Sequence, residues 1–459
     1  MVFSSSIFIF IFLPILFCLY YIANNKCRNV ILLIASLLFY SWGEPKYIFL
    51  MLFSIVINYA LGFLVEKEWK LKKLFLVMAV VVNLGLLFYF KYTNFALDTF
   101  SRIARVNVTL KDIALPIGIS FYTFQIMSYV IDVYRGNVKA QRNIVKLALY
   151  IALFPQLIAG PIVRYVDIEK QINNRIVNVS GVYNGIIRFM IGFSKKVLIA
   201  DQLSSFVGVA FEGSRNSILI KWVGIIAYTL QIYYDFSGYS DMAIGLGKML
   251  GFDFLENFSF PYISETIQEF WRRWHISLGS WFRDYLYIPL GGNRKGKVRT
   301  YINLIIVFML TGFWHGASFN FIAWGLYYAF FLVIERLGFS KVLNKLPKAF
   351  RHIYSVIVVM FGWILFRAEG LKNALIYIKD MFVLHGDDFR NFAIEISPSI
   401  IFWIVVGIIF AIPYPWIKTK IEEKNALKIV RDVVLMVVFL IAISFMVGSG
   451  YSPFLYFRF

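Results

Sequence analysis

The sequence predicts an all-α, polytopic integral membrane protein. It reads as one membrane-embedded bundle over residues 1–459, with about eleven transmembrane helices plus re-entrant or interfacial helices. Three observations carry this prediction. Hydrophobic residues make up 60% of the chain and charged residues only 16%, so there are too few polar groups to coat a soluble globule. Mean hydropathy is +0.70. Long apolar runs recur along the whole length, separated by short basic connections. A soluble enzyme, a disordered chain and a disulfide scaffold are excluded on the same grounds.

The runs, in order, lie near 7–23, 30–42, 46–65, 74–91, 113–133, 145–162, 181–200, 218–235, 301–313, 318–336, 352–366, 398–413 and 432–449. A full crossing takes about 20 residues, so the shorter runs cross only with help from their neighbours. The first run has no Lys or Arg before Lys26, unlike a secretory signal, and reads as a retained spanning helix. Its positive flank, Lys26 and Arg28, follows it, which predicts an N-terminus on the outside. With that choice Glu66–Lys73, Lys341–Arg351 and Lys418–Lys428 fall on the cytoplasmic side. Glu369–Asn391 and the C-terminal SPFLYFRF fall outside. The net charge of +20 is then the positive-inside bias and a source of contact with anionic lipid headgroups, with no nucleic-acid partner implied. Cys18 and Cys27 form no framework, and no His/Cys cluster has metal-ligand spacing, so no metal site is expected.

Residues 235–300 break the pattern. They are rich in Trp, Tyr and Arg and hold no long apolar run, which suits amphipathic helices and re-entrant backbone. Taken as one helix, Glu269–Tyr285 places Glu269, Arg272, Arg273, Ser280, Arg283 and Asp284 in a polar sector about 120° wide. Phe270, Trp271, Trp274, Leu278, Trp281, Phe282 and Tyr285 oppose it, with His275 at the edge. An interfacial aromatic belt explains the Trp and Arg residues, but an imidazole among aromatics needs a partner.

Only four histidines exist. His352, beside Arg351, and His385, in VLHGDD, read as solvated loop residues. His315 differs: apolar helix flanks it on both sides, and Gly312, Gly316 and Ala317 allow close backbone approach. The run Tyr301–Phe313 would rise only about 20 Å, short of a roughly 30 Å hydrocarbon core, which predicts an imidazole below the surface. An ionisable group there is either functional or caps the hairpin through a carbonyl. A buried neutral histidine can take the proton of a hydroxyl as its oxygen attacks a thioester carbonyl. No Ser-His-Asp spacing or nucleophile elbow accompanies it.

Several stretches are recognisable. FYTFQIMSYVIDVYRG (121–136), LFPQLIAGPIVRY (153–165) and YYDFSGYSDMAIGLGKMLGF (233–252) are followed by ENFSFPYISETIQEFWRRWHISLGSWFRDYLYIPLGGNRKG (256–296) and TGFWHGASFNFIAWGLYY (311–328). With the terminal PFLYFRF, they resemble the membrane-bound O-acyltransferase (MBOAT) family, and within it the bacterial alginate O-acetyltransferase type.

The resemblance implies a helical bundle around a central funnel or tunnel in the bacterial cytoplasmic membrane. It implies His315 as catalytic base, with His275 in support. It also implies acetyl-CoA as acyl donor with no bound cofactor, and an extracytoplasmic SGNH/DHHW-type acetyltransferase partner that completes transfer to a polysaccharide. The D-alanyl-transferring branch resembles the chain around WRRWHISL and is the alternative. A transporter or glycan flippase would call for matched repeats, which the sequence lacks, and a scaffolding subunit of an export complex is a further rival.

Arg272, Arg273, Arg283 and Arg294, with Asp284 and Asn293, are candidates for the donor end, where the arginines meet either donor phosphates or lipid headgroups. Trp271, Trp274, Trp281 and Trp314 are candidates for a water-excluding passage, or belt residues. Gly291 and Gly292 suit a tight turn.

Overall fold

A computed structural model describes the chain except residues 159, 214–216, 385–387, 450–453 and 456–459, and the side chains of 417, 418, 422 and 449. His385 and all of SPFLYFRF but Phe454 and Leu455 therefore lie outside the described residues. Among the described residues the fold is helical, with no strand. Two compact units form, one from Met1–Phe189 with Met242–Leu255, the other from Met190–Asp241 with Glu256–Phe459.

Six described helices are long and apolar enough to cross a membrane: Ile48–Glu66, Lys72–Ala104, Lys297–His315, Phe319–Leu343, Lys348–Arg367 and Asn425–Gly448. The pair Asp388–Glu395 and Pro398–Phe410, bent by 82°, would make a seventh. In the first unit, Asn58 on Ile48–Glu66 and Asn83 on Lys72–Ala104 exchange side-chain hydrogen bonds of 3.1 and 2.7 Å. Such pairs hold apolar helices together where lipid supplies no hydrophobic driving force.

The second unit carries the aromatic-rich region apart from 242–255, which belong to the first. The apolar run expected to stop at residue 235 belongs to a helix that continues from Ile218 to Met249. It continues because its later residues are buried in protein, where polar side chains find partners that lipid lacks. Buried Asp235 on this helix pairs with Lys196 at 2.7 Å, and Lys196 pairs also with Asp201 at 2.5 Å. The second oxygen of Asp235 accepts the Leu455 N–H at 2.9 Å, while Phe454 packs on Tyr239 with ring centroids 4.8 Å apart.

The helix bearing His315 begins at Lys297, one turn before the apolar run. Its 19 residues rise about 28 Å, so the depth argument from a short run does not hold. Burial of His315 comes from packing instead. A three-residue link, 316–318, turns the chain back into Phe319–Ile334. The two helices meet through glycines: a Cβ on Gly312 would lie 2.1 Å from the Phe321 carbonyl oxygen, and one on Gly325 2.2 Å from that of Phe308.

Candidate active site

The expected single helix over Glu269–Tyr285 is broken. Ile267–Arg273 and Ile276–Phe282 are separate seven-residue helices, and Arg283–Tyr287 is a π-helical turn. The break lies at Trp274, which is extended, and His275, which is left-handed at φ 47°. A left-handed non-glycine residue costs roughly 1–3 kcal/mol and persists only when its surroundings hold it. Here they do. The Ser259 N–H donates to the Arg273 carbonyl and the Ile276 N–H to the Asn257 carbonyl, both at 3.0 Å, so 257–259 satisfies the backbone groups freed by the break.

The first short helix is fixed at its N-terminus. Thr266 Oγ1 accepts the Glu269 N–H at 3.0 Å. The buried Glu335 carboxylate accepts the N–H groups of Ile267 and Gln268 at 2.7 and 3.0 Å. A carboxylate on the positive end of a helix is favourable in charge and in hydrogen bonding. It sets the register of Trp271 and Arg272.

Asn257, fully buried, fixes the protonation of His275. Its Oδ1 accepts from the Ser277 N–H at 3.2 Å and the Ser277 Oγ at 2.8 Å, and lies 3.1 Å from His275 Nδ1. A backbone N–H can only donate, so the amide oxygen faces this cluster and Nδ1 carries the hydrogen. Nε2 is then the lone-pair nitrogen of the neutral ring. Burial pushes the His275 imidazole down to about 3, so it stays neutral across ordinary pH.

His315 ends its helix with 4% of its surface exposed, against 2% for His275. Its ring is edge-on to Trp324 and Phe366 at 5.1 and 5.3 Å. The Trp314 indole is close to both imidazoles, 5.0 Å from His315 and 6.5 Å from His275 between ring centroids.

A cavity of about 420 Å³ reaches His275. Trp271, Phe282, Leu304, Phe308 and Leu332 give it apolar walls, Thr311 lies in its lining, and Arg272, Arg283 and Arg336 supply cations. Of the expected donor-end and passage residues, Trp271, Arg272 and Arg283 line it.

The others lie off this cavity. Arg273 pairs with Glu269 at 2.9 Å. Asp284 accepts from Arg283 at 2.7 Å, which offsets part of that cation's charge. Trp274 is packed between Phe258 and Trp363, and Trp281 against Tyr285 and Phe282. Asn293 and Arg294 are exposed beside a turn in which Gly291 and Gly292 both have positive φ, held by the Asn303 amide donating to the Gly292 carbonyl at 2.9 Å. His315 itself is not in the lining; Thr311, one turn earlier on its helix, is. His352, read as a loop residue, sits in the first turns of the Lys348–Arg367 helix, half-buried.

Asn257, Glu335, Arg336 and Thr311 were not singled out by sequence reasoning. Asn257 carries no periodic signal, because its role depends on an extended segment lying across a helix break.

An apolar pocket with cations in its wall suits a long donor with an anionic end, and a tautomer-fixed imidazole in its lining suits chemistry beside a reacting carbonyl. The apolar helices mark a multi-pass membrane protein, and its cavity suits group transfer. Residues 34–378 match the family model described as MBOAT, membrane-bound O-acyltransferase family. The chain belongs to this family and is an O-acyltransferase.

It is 46% identical to the probable alginate O-acetylase AlgI of Pseudomonas aeruginosa over 393 residues, 83% of this chain and 75% of that protein. It is 40% identical to the protein of the same name from Pseudomonas putida over 489 residues, covering 100% of both. It is 36% identical to the peptidoglycan O-acetyltransferase of Helicobacter pylori over 436 residues, 86% of this chain and 82% of that one.

Proposed function

We propose that this enzyme moves an acetyl group from a cytoplasmic thioester, acetyl-CoA, across the bacterial inner membrane for O-acetylation of an exported or cell-surface polysaccharide. The observation that carries the reading is the cavity whose wall holds Arg272, Arg283 and Arg336 and whose lining includes the Nδ1-protonated His275. The relatives' names supply the acetyl group and the polysaccharide class.

In the proposed reaction an acceptor hydroxyl oxygen attacks the thioester carbonyl. The hydroxyl proton passes to His315, the C–S bond breaks, and the CoA thiolate leaves. His275, with its lone pair on Nε2, orients the donor from the cavity side. His315 does not line the cavity and Trp314 is close to both rings, so the reading requires the indole to turn aside when both substrates are present. The phosphates of CoA would meet the arginines, and its pantetheine arm the apolar wall.

An extracytoplasmic acetyltransferase of the SGNH/DHHW type would receive the group and finish the transfer. We place the N-terminus outside on the charge pattern. Buried helices such as Ile218–Met249 would raise the crossing count toward about eleven and surround a central tunnel.

The test is to incubate purified protein with labelled acetyl-CoA, with and without the extracytoplasmic partner. Partner-dependent appearance of label on the polysaccharide supports the reading. Normal polysaccharide acetylation in cells lacking this protein overturns it.

A further inference from the structure

A second cavity, about 660 Å³, lies apart from the residues that surround His275. Its walls come from three helices, Ile218–Met249, Lys348–Arg367 and Pro398–Phe410, and from the segment holding Tyr262 and Glu265. The interior is apolar, with Trp222, Leu230, Val356, Met360 and Ile408 among its lining. At one end Lys348 opens a membrane-spanning helix and His352 follows one turn later on the same face.

The charge at that end is cationic. Glu265 also lines it, but its carboxylate is paired with Arg351 at 2.8 Å. Lys348 is left as the excess charge of the rim, and Lys341 and Lys345 precede it in the chain. Because Lys348 begins a spanning helix, its ammonium sits at headgroup level. From Lys348 to Met360 the helix rises about 18 Å, close to one leaflet of a hydrocarbon core about 30 Å thick. Tyr262 forms part of the inner wall. Its hydroxyl donates to the Thr229 carbonyl at 2.6 Å and accepts from Trp363 Nε1 at 3.2 Å, so the wall is internally satisfied and offers a lipid tail only apolar surface.

We infer that this groove is a specific site for one anionic phospholipid, with its phosphate on Lys348 and His352 and an acyl chain along Val356 and Met360. A free phosphate would use the cation but leave the apolar groove unoccupied. A zwitterionic lipid would fill the groove but gain little from the excess cation. The inference needs only that the protein resides in a membrane, and it stands apart from the acyl-transfer reading.

The experiment is native mass spectrometry of the full-length protein in detergent, titrated with dioleoyl phosphatidylglycerol or dioleoyl phosphatidylcholine. One phosphatidylglycerol should be retained after other lipid is stripped, about fivefold more tightly than phosphatidylcholine. Lys348→Ala, at an exposed position, should weaken phosphatidylglycerol about fivefold, the effect of one cation near an anionic headgroup, and leave phosphatidylcholine unchanged. Val356→Trp should weaken both lipids by filling the groove. Equal retention of the two lipids, or wild-type phosphatidylglycerol binding by Lys348→Ala, overturns the site. So does displacement of the lipid by millimolar inorganic phosphate alone.

Discussion

Replacing Asn257 by Ala removes one oxygen that serves three donors. The backbone contact survives, because the Ile276 N–H donates to the Asn257 main-chain carbonyl, not to its side chain. The Ser277 hydroxyl can rotate to another acceptor. The Ser277 N–H and His275 Nδ1–H cannot follow the missing oxygen, and both are buried. A stranded buried donor costs about 1–3 kcal/mol, so the variant should lose roughly 2–6 kcal/mol of stability, toward the lower end if water enters the space.

The functional effect follows from the tautomer. Without the acceptor, nothing holds the hydrogen on Nδ1, and each 1.4 kcal/mol of lost preference is a factor of ten in population. Acetyl transfer from labelled acetyl-CoA should fall about 10- to 100-fold in kcat/KM, because the imidazole that faces the donor in the cavity loses its fixed tautomer.

Asn257→Asp separates orientation from charge. The carboxylate still accepts from all three donors but favours the imidazolium, so the His275 pKa rises from its value of about 3. Activity should then be lost as pH falls through the raised pKa, whereas protonation of wild-type His275 causes no loss down to about pH 4. A folded Asn257→Ala enzyme with wild-type kcat, or an Asp variant with an unshifted acid limb, would refute the assignment.

Other perturbations test other parts of the fold and site. His315→Ala should abolish transfer while insertion and thermal unfolding stay normal, and His275→Ala should reduce the rate less severely; turnover by folded His315→Ala protein removes that residue from the chemistry. Lys196→Met leaves the carboxylates of Asp201 and Asp235 without their shared cation, so it should destabilise by about 3–5 kcal/mol, read as a fall in unfolding temperature. An unchanged transition would mean that the buried pair is dispensable. Gly312→Ala puts a methyl 2.1 Å from the Phe321 carbonyl oxygen, so the hairpin must splay, at about 1–3 kcal/mol. Wild-type stability in that variant would mean that the helices separate freely.

Much of the fold was legible in the sequence because lipid imposes a simple rule on what faces it. Helices such as Lys72–Ala104 and Asn425–Gly448, only 17% and 11% buried over their apolar windows, stand out as apolar runs. Ile218–Met249 stands out only as far as residue 235, because inside the protein Asp235, Ser237 and Asp241 are tolerated and the apolar signal ends while the helix continues. The helix of His315 was read a turn too short for the opposite reason: Lys297 and Arg299 occupy its first turn, at a membrane boundary where charge is expected.

The site shows the same division more sharply. His275 and His315 were visible as imidazoles in apolar surroundings, and their composition alone raised the question of a partner. What answers it for His275 is a helix break that helical periodicity actively conceals. The residues of Glu269–Tyr285 sort well onto two faces of a continuous helix, yet the chain leaves the helix at Trp274 and His275. It can do so because 257–259, a stretch without periodicity, supplies the backbone partners and Asn257 supplies the side-chain one. Local pattern favours the continuous helix, while hydrogen-bond satisfaction from a distant segment favours the break. The latter prevails because each unpaired buried backbone group costs about as much as a strained residue. His275 therefore owes its conformation and its tautomer to one segment, and altering that segment should disturb both together.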